Sequence, residues 1–137
     1  MRLHHIGIAC EDLEESIQRH RMLFKLRQVS GIVDDPLHKV SVVLLSDSEG
    51  KVLIELVAPL TGRSPLYGLL KRGIHLYHLC YLVKNIDAAL EEARRSNSLI
   101  ISRPTPAKLY EGRRIAFIYT PDKYIVEFLE EEGERAV

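Results

Sequence analysis

The stretch His5-Ile6-Gly7-Ile8 and the segment Glu11-Asp12-Leu13-Glu14-Glu15 behind it decide the fold, because they recur as His78-Leu79-Cys80-Tyr81 and Lys84-Asn85-Ile86-Asp87-Ala88. Leu53-Ile54-Glu55-Leu56 likewise recurs as Ile125-Val126-Glu127-Phe128. The repeated histidines lie 73 residues apart and the repeated glutamates 72 residues apart. This matched spacing predicts a duplicated module.

Each module reads as a strand, a helix and three strands. In the first, the apolar pattern of residues 3–10 predicts a strand. Asp12 starts a helix, and the Asp12 side chain has capping-box spacing with Glu15. The apolar stripe of that helix is predicted at Leu13, Ile17 and residues 22–24. The other strands of this module are predicted near 26–33, 39–45 and 51–57, with a turn at 34–36 and a hairpin that joins the last two strands. In the second module, strands are predicted at 74–83, 98–102, 113–119 and 124–130, and Asn85 caps the helix.

These elements predict the α+β class. One module leaves a sheet face uncovered, so we expect two tandem βαβββ modules to form a curved mixed sheet around a cleft that holds a metal. The predicted organisation is a single domain at 1–137, with module one at 1–58, a connector at 59–73 that includes a short helix, module two at 74–130 and a fraying acidic tail at 131–137.

Strand parity selects four candidate metal ligands. Side chains alternate faces along a strand, so parity assigns His5 and His78 each to one side of its own strand. Glu55 and Glu127 lie on strand faces whose other side chains are aliphatic. A charged carboxylate there needs compensation. Two imidazoles and two carboxylates at matched positions predict a divalent transition-metal site with room for substrate. The alternative is that the histidines are ordinary hydrogen-bonded strand residues and each Glu faces water.

Other candidate residues carry weaker signals. His4 and His75 have the opposite parity to His5 and His78, and His20 and His38 are expected to be solvated or locally paired. Cys10 and Cys80 read as small buried side chains. The basic pairs at 94–95 and 113–114, with Lys108, either attract an anionic substrate or are scattered surface charges.

Composition excludes several classes of function. The 137 residues are 46% hydrophobic and 28% charged, which is typical of a folded domain. Lys plus Arg and Asp plus Glu number 19 each, so no excess of positive charge indicates a nucleic-acid partner. The N-terminus has no signal-peptide pattern and no segment is long and apolar enough to span a membrane. We therefore expect a cytoplasmic protein without nucleic-acid or membrane partners.

With these residues the sequence resembles the vicinal oxygen chelate superfamily (glyoxalase, bleomycin resistance and dioxygenase proteins), and within it the methylmalonyl-CoA epimerases. Besides the repeated segments, the resemblance includes Ala58-Pro59-Leu60, the connector from Ser64-Pro65-Leu66 to Leu70-Lys71-Arg72-Gly73, and Tyr77. It implies the glyoxalase-like fold, a metal held by His5, Glu55, His78 and Glu127, and a homodimer. It also implies Co, Ni, Zn or Mn as the ion and Glu127 as the catalytic acid/base.

The resemblance implies a metal-dependent isomerase, epimerase or lyase that stabilises the enolate of a small acyl or oxo substrate, with an acyl-CoA thioester as the epimerase-like choice. One departure counts against strict methylmalonyl-CoA epimerase activity, because Ser41 stands where the resemblance leads us to expect a second acid/base Glu. A glyoxalase I-type enzyme and a non-catalytic metabolite-binding protein of the bleomycin-resistance type stay as alternatives. Glu55 argues against an extradiol-type oxygenase, since the metal of those enzymes is held by a triad of two His and one Glu with no carboxylate at the position of Glu55.

Overall fold

The computed structural model describes residues 1–132 of the chain. These residues form two compact units, one of residues 5–77 and one of residues 1–4 together with the described residues from 78 onward. The last strand reaches Glu130, and the backbone N–H of Glu131 donates to Val83 O at 2.8 Å, so the predicted tail is still hydrogen-bonded at its first residue. The rest of the predicted tail, 133–137, lies outside the described residues.

The unit of residues 5–77 is a short mixed sheet with a helix on one face. Its strands are in the order β2-β4-β5-β1, with β3 paired to β4; β1 and β5 are parallel, and β4 and β5 form the predicted hairpin. The elements are β1 Arg2–Ala9, which enters this unit at its fourth residue, α1 Leu13–Phe24, β2 Arg27–Gln28, β3 Val33–Asp35, β4 Val40–Ser46, β5 Leu53–Pro59 and α2 Leu66–Lys71.

The strand predicted at 26–33 is instead two short strands, β2 and β3. Between them the hydroxyl of Ser30 accepts a hydrogen bond from Leu44 N at 2.8 Å, which takes the place of a ladder bond. The turn predicted at 34–36 starts later, because Asp34 and Asp35 still pair with Ser41 and Val40. Because the turn starts late, Asp35 is the last residue of β3 and pairs with Val40 of β4.

The second unit repeats the arrangement. Its strands are in the order β6-β10-β9-β7, with β8 paired to β9; β6 and β10 are parallel, and β9 and β10 are antiparallel. The short β8 was not predicted. The elements are β6 Leu76–Val83, α3 Ile86–Arg95, β7 Leu99–Ile100, β8 Thr105–Pro106, a 3₁₀ helix Lys108–Tyr110, β9 Arg114–Tyr119 and β10 Ile125–Glu130.

Both long helices begin at the predicted caps. Asp12 Oδ1 accepts from Glu15 N at 3.0 Å, and Asn85 Oδ1 accepts from Ala88 N at 3.0 Å, so each cap satisfies one unpaired donor of the first turn. The reciprocal half of the predicted capping box is different, because the Glu15 carboxylate pairs with Arg19 at 3.2 Å.

The helices define which face of each sheet is left for the candidate site. Helix α1 packs Leu13 and Ile17 on one face of β4 and β5, and α3 packs Ile86, Ala89 and Ala93 on one face of β9 and β10. The stripe predicted at residues 22–24 is wrong: these side chains are 73%, 64% and 62% exposed, because the buried residues of α1 all lie in its first two turns.

Glu130 ties β10 to the start of α3, and we expect its substitution to be destabilising. Its carboxylate accepts from Arg114 at 2.9 and 3.1 Å and from Ile86 N at 2.9 Å. The Arg114 hydrogen bond lowers the pKa of Glu130 below its usual value. Glu130→Gln should lower the free energy of unfolding by about 1–2 kcal/mol at neutral pH, measured by urea denaturation.

The sign of the pH dependence follows from the lowered pKa. The stabilisation is fully present above the ordinary glutamate pKa of about 4.3 and is lost as pH falls through the lower folded value. The matched control is Glu91→Gln, an exposed partner of Arg94 that we expect to change stability by less than about 0.5 kcal/mol. Equal effects of the two substitutions at neutral pH would contradict the structural role of Glu130.

Candidate metal centre

A buried histidine and a buried glutamate lie together in the unit of residues 5–77. Strands β1 and β5 are parallel, with Gly7 in register with Glu55, and His5 is two residues before Gly7 on the same face. His5 Nε2 is 3.4 Å from Glu55 Oε2. The residues are only 1% and 5% exposed.

The second unit contains the same pair. Strands β6 and β10 are parallel with Cys80 in register with Glu127, and His78 is two residues before Cys80. His78 Nε2 is 3.3 Å from Glu127 Oε1, and the two residues are 3% and 2% exposed. The Phe117 and His78 rings pack in a T-shaped arrangement with a centroid distance of 5.4 Å. The alternative in which each Glu faces water is therefore wrong.

The spacing of the two donor atoms in each pair fits a metal better than a salt bridge. Two ligand atoms that are each roughly 2.1 Å from one ion, at a tetrahedral angle, lie roughly 3.4 Å apart. A charge-assisted hydrogen bond between the same groups is usually about 2.7–2.9 Å long. The observed distances of 3.4 and 3.3 Å match the first value. Imidazole nitrogen and carboxylate oxygen are also ligands that divalent transition metals accept.

Ser41 does not lie beside the His5–Glu55 pair. Cross-strand partners share a face, and Ser41 pairs with Ala58, which packs under α1. Its hydroxyl donates to Asp34 Oδ1 at 2.6 Å. The β4 residues on the face of Glu55 are Val40, Val42, Leu44 and Ser46, of which Leu44 is opposite Glu55 and Val42 is opposite Val57. This face therefore has apolar neighbours beside Glu55.

A buried aspartate on that face pairs with a histidine of the following turn, which the sequence did not reveal. Asp35 pairs with Val40, which has the parity of Val42 and Leu44, and it is 6% exposed. Asp35 Oδ2 is 2.8 Å from His38 Nδ1, and Asp35 Oδ1 accepts from His38 N at 3.2 Å. His38 was predicted to be solvated or locally paired, and the structure shows the local pairing. The spacing of Asp35 and His38 was the available signal, but it was interpreted as part of a turn.

The candidate basic residues differ in their surroundings. Arg94 and Arg95 both pair with Glu91 on the surface, and Arg114 pairs with Asp87 and Glu130. Arg113 instead lies over the Tyr110 ring, with its guanidinium carbon 5.7 Å from the ring centroid. The first group therefore belongs to surface or structural ion pairs, and Arg113 is the better candidate for an anionic ligand.

The remaining histidines and cysteines have local roles. His4 packs edge-on against Tyr110, His20 Nδ1 is 2.7 Å from Ser16 O, and His75 Nδ1 is 2.9 Å from Ala9 O. Cys10 and Cys80 are buried thiols, as predicted. Burial raises the pKa of the Cys10 thiol, so it is protonated at neutral pH and unreactive.

The chain belongs to the Glyoxalase/Bleomycin resistance protein/Dioxygenase superfamily, whose family model matches residues 4–117. It is 31% identical to the ethylmalonyl-CoA/methylmalonyl-CoA epimerase of Cereibacter sphaeroides over 125 residues, which make up 88% of this chain and 90% of the relative. The predicted family is confirmed.

Two solved structures resemble the whole chain. A hypothetical protein from Bacillus halodurans C-125 has a TM-score of 0.82 at 27% identity, with 99% of this chain and 98% of that chain covered. The methylmalonyl-CoA epimerase of Mycobacterium tuberculosis has a TM-score of 0.81 at 24% identity, with 97% and 89% covered, and this likeness concerns the fold alone. The predicted α+β class and glyoxalase-like fold are confirmed. Among the described residues, no helix combines the length and apolarity that crossing a bilayer requires.

Proposed function

We propose that this protein is a divalent-metal-dependent enzyme of the glyoxalase and epimerase type that moves a proton at the carbon next to the carbonyl of an acyl or oxo substrate. His5, Glu55, His78 and Glu127 would hold the metal, and Glu127 would also transfer the proton. Co, Ni, Zn and Mn all suit this ligand set. The substrate we favour is an acyl-CoA thioester.

The spacing of the His and Glu donor atoms carries this proposal. Each pair is buried and holds its donors at 3.4 or 3.3 Å, which fits two ligands of one ion. Each pair by itself supplies only two ligands. A catalytic ion usually takes three or more from the protein and keeps a position for substrate. The equivalence of the two pairs supports their sharing one ion.

The chemistry that such a metal supplies when bound is stabilisation of the negative charge that builds on a carbonyl oxygen as the neighbouring carbon loses its proton. The chain supplies the proton carrier. Glu127, on β10, is 2% exposed and is in register with Phe117 of β9, so the two side chains share a face of the sheet. An apolar neighbour of this kind limits the access of water to the carboxylate and strengthens its interaction with a reacting proton.

The choice of an acyl-CoA thioester rests on the relatives and on Arg113. The Cereibacter sphaeroides relative is named as an epimerase of ethylmalonyl-CoA and methylmalonyl-CoA. Arg113 stacks on Tyr110 at 5.7 Å. A guanidinium held in this way suits the carboxylate or phosphate groups of such a substrate.

A glyoxalase I-type enzyme on another substrate is the second candidate. Val42 and Leu44, beside Glu55 on its face of the sheet, supply no acid or base. A reaction that moves the proton to the neighbouring carbon on one face of the enolate needs only one such group. The binding-protein alternative is less favoured, since those members usually lack part of the ligand set that this chain retains.

Proton exchange tests this function directly. The protein, incubated with methylmalonyl-CoA in deuterated water, should incorporate deuterium at the carbon between the two carbonyl groups, because enolate formation exposes that carbon to solvent protons. Mass spectrometry measures the incorporation against a reaction without protein. If the thioester does not exchange but a glyoxalase-type hemithioacetal does, the second candidate replaces the first.

The homodimer and the cytoplasmic location expected from the resemblance and the sequence remain predictions. Sedimentation of the purified protein measures the first, and fractionation of cells that express it measures the second.

A further inference from the structure

The second unit has a strip of large apolar side chains on the same face of its sheet as Glu127. Phe117 of β9 is in register with Glu127 of β10. Tyr119 is two residues further along β9, so it shares this face, and it is in register with Leu99 of β7. Ile101 continues the pairing, since its backbone N–H donates to Phe117 O at 2.8 Å. We call the side chains of Leu99, Ile101, Phe117 and Tyr119 the apolar strip.

The fold does not require apolar side chains at these positions. Leu99, Ile101 and Tyr119 are 66%, 52% and 41% exposed. At the positions that the repeat makes equivalent, the unit of residues 5–77 has Arg27 and Ser46 in place of Leu99 and Tyr119, and these two residues are also in register. Charged residues are common on edge strands, because an exposed apolar edge attracts other chains. The apolar edge of the second unit therefore indicates that a ligand or a partner covers it.

The apolar strip is continuous with the His78–Glu127 pair. The Phe117 ring packs against the His78 ring at a centroid distance of 5.4 Å, and Phe117 is opposite Glu127. Tyr119 lies two residues further along the strand, which is about 6–7 Å. An extended alkyl chain of about five carbons has this length. A molecule bound at the pair can therefore extend an apolar chain over the strip.

We propose that the apolar strip binds an alkyl substituent on the reacting carbon of the substrate, and that it makes the enzyme selective for malonyl thioesters with substituents longer than methyl. This proposal rests on the proposed function, because the proposed metal site sets the position of the reacting carbon. A substrate chain fits the strip better than a second copy of the protein does. The strip begins at a ring that contacts a candidate metal ligand. Its exposed area is roughly 350 Å², less than half of what each partner of a stable complex usually buries.

A series of substrates that differ only in chain length tests this selectivity. Deuterium exchange is measured with the full-length protein as purified and with malonyl-CoA thioesters whose central carbon has a methyl, ethyl, propyl or pentyl substituent. Each methylene that is buried on the strip should raise kcat/KM by about two- to fourfold, so the pentyl compound should exceed the methyl compound by at least about tenfold. A kcat/KM that stays constant or falls as the chain lengthens overturns the proposal.

Two variants test the strip residues themselves. Tyr119→Ser introduces the residue type of Ser46, and Leu99→Gln replaces an exposed apolar side chain with a polar one. Each should lower kcat/KM for the pentyl compound by about tenfold and leave the methyl compound within about twofold of the wild type, because a methyl group does not reach these residues. Leu23→Gln, at a residue of α1 that is 64% exposed, is the matched control and should keep the wild-type preference. A wild-type preference in both strip variants, with wild-type melting temperatures, overturns the assignment.

Two further measurements separate the proposal from its alternatives. If Leu99→Gln converts a dimer to a monomer in sedimentation without changing the chain-length preference, a second copy covers the strip and the proposal is overturned. If the wild type exchanges no thioester, the proposed function fails, and calorimetric binding of hexanoyl-CoA and acetyl-CoA tests the strip alone. Tighter binding of hexanoyl-CoA that is lost in Leu99→Gln supports the strip as an alkyl site, and equal binding of the two compounds by the wild type overturns it.

Discussion

Replacing His5 or His78 with alanine should remove the bound metal. The wild type, purified without added metal, should contain about one transition metal ion per chain, bound by four side chains. Each histidine contributes a nitrogen 3.4 or 3.3 Å from a carboxylate oxygen, and its loss leaves that carboxylate without the second donor of its pair. Removing a residue that only hydrogen-bonds to a metal ligand lowers metal affinity by roughly 10–100-fold, so removing a ligand itself should lower the affinity further. Elemental analysis and competition with a chelator measure both quantities.

The control for this prediction is His20→Ala. It removes an imidazole of α1 whose Nδ1 lies 2.7 Å from the Ser16 carbonyl oxygen, one turn earlier in the same helix. Its metal content should equal that of the wild type. Two ions per chain, with one lost in each histidine variant, would indicate two separate sites in place of a shared one. Metal-free wild-type protein that still binds thioesters would reject the metal-dependent function and favour a binding protein.

Replacing Glu127 with glutamine should abolish most proton exchange. The amide keeps an oxygen of similar position but cannot take up a proton at neutral pH, so the rate of deuterium incorporation into methylmalonyl-CoA should fall by about 10²–10⁴-fold. The measurement is deuterium uptake followed by mass spectrometry over time.

The metal content of Glu127→Gln has to be measured in the same preparation, since Glu127 is also a proposed ligand. Reloading with the metal found in the wild type separates loss of the ion from loss of the base. Glu91→Gln, an exposed carboxylate on α3, is the matched control and should exchange at the wild-type rate. A fully loaded Glu127→Gln protein with wild-type exchange would exclude Glu127 as the acid/base.

The elements set by local chemistry were predictable from the sequence. Asp12 and Asn85 cap the two helices as expected, because a short polar side chain before an apolar periodic segment is a local signal. The long strands were found by their apolar pattern. The last turn of α1, at residues 22–24, misled the prediction, since an apolar side chain does not reveal whether a partner surface exists.

The sequence likewise predicted some features of the candidate site and not others. The repeat and the two-residue period of strands selected His5, Glu55, His78 and Glu127, and the structure brings the members of each unit's pair together. Ser41 could be compared with other proteins only by position along the chain. Its face depends on its cross-strand partner, Ala58, and the sequence does not state that partner.

What the sequence by itself determined is the duplicated module and the four candidate ligands, because duplication and strand alternation are properties of order along the chain. Tertiary structure decided that Ser41 shares the face of Ala58, which packs against α1, and that Asp35 lies on the face of Glu55. The physical reason is register: one residue of slip between neighbouring strands moves every side chain to the other face. That register is set by pairing between strands, which no single stretch of sequence contains.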